Sequence, residues 1–261
     1  MGARAIWKGV VHVGTLTVPV KLYSAVQDRS VRFRLLHKTD KQPVKQQLIS
    51  AETEEPVEYA EVKKAFPIAR GRLVLLEKEE LEKLEPKDSR DIEITRFVDP
   101  KEIDHRWYER AYYLGPDGNE KAYFAAAAAL ERRKKEGVAR WVMRDKSYVG
   151  ALRAERGYLM LITLRHAEEI IAAEALQPPA GRPLAQREVE MAGQLLEALH
   201  DRFDPAMFRD EYRARVMELI EAKAAGKKPK VVKFRPKQDT DDVTDALAAS
   251  LAGMKKRTAR G

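Results

Sequence analysis

The side-chain pattern changes at Gly226, and the change confines any packed core to the residues before it. The upstream part closes with the strongly patterned EYRARVMELIEAKAAG; downstream come KKPKVVKFRPK, a short acidic run and a final KKRTARG. From Lys223 onward there are 11 Lys/Arg against 4 Asp/Glu, whereas the residues before it hold 38 against 37. A basic tail on a charge-balanced body implies a polyanionic partner, with nucleic acid the first choice.

At 261 residues and 44% hydrophobic, the chain is long and apolar enough for a sizeable core. No apolar run approaches the roughly 18 residues of a membrane span, and the N-terminus lacks a secretory apolar region with a cleavage site. The expected setting is cytoplasmic. The absence of cysteine excludes disulfides, thiolate zinc sites and cysteine nucleophiles together.

The first two thirds read as a mixed, mostly β body. Val18, Val20 and Leu22 alternate with Pro19 and Lys21, and Pro19 predicts an edge, a strand start or a bulge there. Val31 to Lys38 predicts a strand with Val31, Phe33, Leu35 and His37 on one face and Arg32, Arg34 and Lys38 on the other, so that an apolar side backs a basic one. Further strands are expected at Arg72–Leu76, Ile92–Val98, Tyr108–Leu114 and in VARWVMR. YLMLITLR is apolar on both sides and reads as central. EKEELEKLEP predicts a short helix stopped by Pro86.

Asn119 caps a predicted helix through AYFAAAAALERRKKEG, which Gly137 ends; its last turn collects Arg132, Arg133, Lys134 and Lys135. From residue 184 the period turns helical. Val189, Ala192, Leu196 and Leu199 share one stripe. After FDP, with Asp204 as cap and Pro205 at the first helical position, Phe208, Tyr212, Val216, Leu219 and Ile220 form another.

No strong catalytic constellation is present. His12, His37, His105, His166 and His200 include no HExxH pair, and GxxxxGK[ST], GxGxxG and GxSxG are all absent. Asp91 with Glu93, or Glu221 with Lys223, would be the candidates for metal-assisted cleavage. In so charge-rich a chain such pairs read as solvated faces. No metal and no cofactor is expected. The basic clusters suit phosphate contacts, which give affinity with little sequence choice, and no base-reading helix or aromatic strand stands out. In the tail, DDVTDALAASLAGMKKR places Val243, Leu247, Leu251 and Met254 at helical spacing after Asp242, a candidate docking stripe.

Taken in order, RAIWKGVVHVGTLTVPVKLYSAV, VRFRLLHK, RDIEITRFV through KEID, the AYYLGPDG turn and FDP…YRARVMELIEAKAAG resemble the bacterial Ku family over about 225 residues. The resemblance implies a Ku-type β-barrel core over 1–183, a helical dimerisation arm over 184–226 carrying Phe208, Tyr212, Val216, Leu219 and Ile220, and a basic tail over 227–261. It implies a non-catalytic homodimer whose bridging strands form a ring around double-stranded DNA ends, bound without sequence preference, and which recruits the ATP-dependent DNA ligase D. That places the protein at the nucleoid. The candidate DNA contacts are Arg32, Arg34, Lys38, Lys41, Lys45, Arg132, Arg133, Lys134, Lys135, Lys227, Lys228, Lys230, Lys233 and Arg235, and the candidate docking residues are Val243, Leu247, Leu251 and Met254. The chain departs from many relatives after His37-Lys38, where Thr39, Asp40, Pro43, Gln46, Gln47 and Leu48 replace a cysteine-bearing turn and a richer basic run. Two other readings stay open: a nucleoid protein without end preference, and a metal-dependent nuclease using Asp91.

Overall fold

The computed structural model describes residues 4–176, 185–226 and 247–248. They fall into two compact units. The first holds the residues up to Arg29 and Phe33–Ala175; the second holds Ser30–Arg32 with the chain from Leu176 onward.

In the first unit, β1 (Trp7–Val13) and β2 (Leu16–Ser24) form a hairpin. A long excursion then includes a second hairpin, β3 (Lys64–Ala69) with β4 (Arg72–Leu76), and the short helix α1 (Lys78–Glu82). The chain returns as β5 (Asp91–Val98), β6 (Tyr108–Pro116), the helix α2 (Glu120–Arg133), β7 (Glu136–Met143), β8 (Lys146–Glu155) and β9 (Tyr158–Leu164). Seven strands close into a barrel in the order β1-β2-β6-β9-β8-β7-β5. An odd number of strands cannot alternate direction around a closed ring, so one junction must be parallel. It is β1 against β5.

Alternation explains the barrel. Val18, Val20 and Leu22 of β2, Ile92 and Ile94 of β5, Ala139, Trp141 and Met143 of β7 and Leu159 and Leu161 of β9 point inward and are buried. Burial of each large apolar side chain is worth roughly 1.5–3 kcal/mol. β9 is central as expected, with β6 on one side and β8 on the other. Pro19, however, does not mark an edge: β2 has β1 and β6 as neighbours. The proline is tolerated because its ring nitrogen faces the β6 side one residue before that pairing begins at Val20↔Pro116, and its carbonyl accepts from Asp117 N at 3.1 Å.

Helix α2 packs its buried Tyr123, Ala127 and Leu130 into the same core. Asn119 caps it as expected, its side chain accepting from Ala122 N at 3.1 Å. The Tyr123 hydroxyl donates to Leu114 O and accepts from Leu159 N, joining the helix to the last paired residues of β6 and β9. Gly137 does not end α2. Lys134 does, in the left-handed region at φ 51°, and Gly137 lies inside β7, where its missing side chain makes room for Ile94 and Phe97.

The predicted strand over Val31–Lys38 is also absent. Those residues form no strand and have no continuous partner, with a single bridge, Leu36↔Pro43. They feed two tight reversals, closed by that bridge and by Ile49↔Pro56, which precede β3 and β4. Backbone without a neighbouring ladder cannot sort side chains into a core face and a solvent face, so Phe33 and Leu35 stay 66% exposed alongside Arg32 and Arg34.

The second unit contains α3 (Gln186–Ala198) and α4 (Glu211–Ala224). Glu188 reaches back to accept from Ala185 N at 2.8 Å and closes the start of α3. Asp204 caps as expected, accepting from Ala206 N, but Pro205 opens only one 3-10 turn, Pro205–Met207. The α-helix starts later, where Asp210 accepts from Arg213 N at 2.8 Å. Among the described residues no helix is long and apolar enough to cross a membrane.

Candidate nucleic-acid interface

The residues predicted to meet phosphate occupy three places. Lys38 and Lys41 sit on the first reversal after β2. His37 Nδ1 lies 2.9 Å from Asp40 Oδ1, Gln42 N donates to the same oxygen at 3.0 Å, and His37 N donates to Gln42 O at 2.8 Å. Lys41 is held at φ 59° and its ammonium donates to Lys38 O. Asp40 is therefore a turn organiser, and the hydrogen bonds from Gln42 N and His37 hold its carboxyl below the usual carboxylate range. Arg34 and Lys45 flank this reversal and are exposed, whereas Arg32 is grouped with the second unit.

The next reversal carries Glu52, Glu54 and Glu55, so charge inverts along the excursion. It turns basic again on the β3–β4 hairpin with Lys64, Arg70 and Arg72, all exposed. Sequence reasoning missed these three cations, although the AFPIARGRLVLL pattern around Arg70-Gly71 signals a hairpin that would present them together.

The α2 cluster divides on inspection. Lys135 is tied to Asp99 at 2.7 Å, and Lys134 forms the left-handed end of the helix. Arg132 and Arg133 are exposed. Lys227, Lys228, Lys230, Lys233 and Arg235 lie outside the described residues, as do Val243, Leu251 and Met254; Leu247 falls in a helical stretch with Ala248. In the second unit the arm residues Phe208 and Tyr212 are 72% and 67% exposed, and Leu219 and Ile220 are also exposed, while Val216 is half-buried.

Asp91, the candidate for metal chemistry, has a structural task. His12 Nε2 lies 2.8 Å from Asp91 Oδ1 and Ser89 Oγ donates to its other oxygen at 2.8 Å, so the carboxylate clasps the parallel seam of the barrel. Among the described residues no three His, Asp or Glu side chains are grouped to hold a metal ion. At the end of β6, Asp117 bridges Lys21 at 2.7 Å and Lys8 at 3.0 Å, and both lysines hold its carboxyl below the usual range. The geometry thus offers exposed cations on hairpin turns, large apolar side chains beside them, and carboxylates engaged in structural bonds.

A family model described as the Ku70/Ku80 beta-barrel domain matches residues 12–191, from the end of β1 through the other six barrel strands and into α3. The chain is 35% identical over 259 residues to non-homologous end joining protein Ku 2 of Geotalea uraniireducens, covering 99% of this chain and 100% of that one. It is 38% identical over 259 residues to non-homologous end joining protein Ku of Anaeromyxobacter sp., covering 98% of this chain and 87% of the relative. A third relative, of the same name from Archaeoglobus fulgidus, is 33% identical over 256 residues, 97% of this chain and 100% of its own. With the closed barrel and the collinear motifs, these likenesses show that the chain belongs to the Ku family of non-homologous end joining proteins.

Proposed function

We propose that this protein is a non-catalytic scaffold that binds the ends of double-stranded DNA in end joining, as a ring-shaped homodimer. The observation that carries the reading is the excursion between β2 and β5. It leaves Phe33, Leu35, Phe66, Leu73 and Leu75 exposed, while its reversals bear Lys38, Lys41 and Arg70, with Arg72 at the start of β4. So many exposed large apolar residues on one connection mark an interface. A second copy, related by a two-fold axis, covers them with the same surface and converts two excursions into one bridge. The cations then line an aperture that duplex DNA enters only at a free end.

Specificity in this scheme is geometric, because phosphate contacts carry no base information. The names of the relatives, each a non-homologous end joining protein Ku, support the pathway. In the same reading Phe208, just before α4, and the α4 residues Tyr212, Val216, Leu219 and Ile220 cover the partner subunit. The tail cations add phosphate contacts, and Val243, Leu247, Leu251 and Met254 dock ATP-dependent DNA ligase D at the nucleoid.

The test compares a linear duplex with a covalently closed circle of the same sequence. Linear DNA should bind tightly, the circle poorly, and both should weaken as salt rises. Equal affinity would remove the ring and leave a general nucleoid-binding protein.

A further inference from the structure

A second feature of the barrel is built without any residue of the excursion. On the outer face of β2, β6 and β9 a cleft of ≈ 490 Å³ is lined by Tyr23, Tyr113, Tyr158, Arg156, Glu155 and Gly115, among others. Tyr23 and Tyr113 are register partners across β2 and β6, with the inward-pointing pair Leu22 and Leu114 beside them. Their rings therefore rise side by side from the outside of the barrel. Gly115 keeps the floor low: a Cβ there would lie 3.0 Å from the Tyr23 ring.

The opposite wall is the β8–β9 turn. Arg156 and Gly157 both have positive φ, 53° and 79°, which gives a two-residue hairpin that a non-glycine residue adopts at a cost. Glu131 of α2 holds it in place, its carboxylate accepting from Arg156 N at 3.1 Å and Gly157 N at 3.2 Å. Arg156 is thus pre-positioned beside Tyr158, which is 58% exposed; Tyr113 is 48% exposed.

We propose that this cleft binds unpaired nucleotides of a DNA end, bases stacking on the tyrosine rings and a phosphate resting on Arg156. This rests on the end-binding reading and extends it from duplex to overhang. Tyrosine faces stack any base, so the site is indifferent to sequence, and a guanidinium suits phosphate. Glu155 repels phosphate on its own side of the cleft and so orients the strand across it.

The experiment uses the full chain and two duplexes of equal length, one blunt and one with a six-thymidine 3′ overhang, plus a version of the overhang with one 2-aminopurine. The wild type should bind the tailed duplex roughly tenfold more tightly than the blunt one, the scale of stacking a single base, and should quench the 2-aminopurine. Tyr113→Ala with Tyr158→Ala should abolish both the margin and the quenching while leaving blunt-end affinity and thermal melting unchanged. Tyr113→Phe with Tyr158→Phe should retain them, since only the stacking face is needed. Equal wild-type affinity for the two duplexes without quenching overturns the proposal. A preference that survives the alanine pair, or an alanine pair that instead shifts the monomer–dimer equilibrium, also overturns it and makes the cleft a protein contact. Failure of the end-binding reading shows separately, as equal binding of linear and circular blunt DNA.

Discussion

Glu136, at 1% exposure, is a charged group inside the barrel wall, and its neighbours decide whether the wall holds. Tyr108 donates to its carboxylate at 2.7 Å, and Arg153 Nη2 lies 3.1 Å from the other oxygen, approaching off the N–H direction, so the contact is an ion pair and not a hydrogen bond. Removing one member of a buried pair strands the other. We expect Arg153→Met to cost roughly 2–4 kcal/mol, toward the lower end because Arg153 is partly exposed and its charge is already shared with water. A urea titration followed by circular dichroism measures it. Burial, then the hydrogen bond to Glu136, push the Tyr108 phenol above its ordinary value. A raised folded pKa contributes stability that is fully present below about pH 10, the unfolded value, and is lost as pH climbs toward the folded one. Tyr108→Phe should therefore flatten the alkaline fall in melting temperature between pH 9 and pH 11, relative to wild type. None of this was legible in the sequence. In ALERRKKEG, Glu136 reads as the exposed end of a helix, because Tyr108 and Arg153 come from strands that only the closed barrel brings beside it.

Legibility at the scale of the element followed locality. The Asn119 cap was readable because its acceptor and its target, Ala122 N, lie within one turn, and Asn119→Ala should cost about 1 kcal/mol. The strands β5 and β7 were readable because alternation survives wherever one face is buried, and β9 because an unbroken apolar run suits a central strand. The segment over 31–38 alternates equally well, yet forms no strand, since a strand requires a neighbour and none runs alongside it continuously. The end of α2 was misplaced because glycine is the expected terminator, while Lys134 accepts the left-handed conformation at a cost. Lys134→Gly should relieve that strain and raise stability by about 0.5–1 kcal/mol, read as an increase in the urea midpoint at unchanged slope. The barrel also constrains glycine in the opposite sense. A Cβ on Gly150 would lie 2.7 Å from both Ile162 O and the Trp141 ring, and Gly150→Ala should destabilise by about 1–3 kcal/mol because backbone must move.

For the whole molecule, charge and topology make separable demands. Residues before Lys223 carry 38 basic and 37 acidic groups, so their affinity for DNA must come from where cations sit and not from their excess. The tail beyond Gly226 is the reverse, a net excess of cations on a chain segment following the arm. If the aperture belongs to the dimerised barrels, a chain ending at Gly226 keeps its preference for linear over circular DNA and loses affinity for both. Each phosphate contact removed lowers the slope of log affinity against log salt by about 0.9, so truncation should flatten that slope by several such steps. Arg34→Glu with Lys38→Glu in the full chain should do the opposite. It should erode the linear preference with a smaller change in slope, and sedimentation should find the dimer intact. Fluorescence anisotropy over a salt series, run on both DNA forms with all three proteins, separates the terms. A tail truncation that equalised linear and circular DNA would move end recognition out of the barrel and into the last 35 residues.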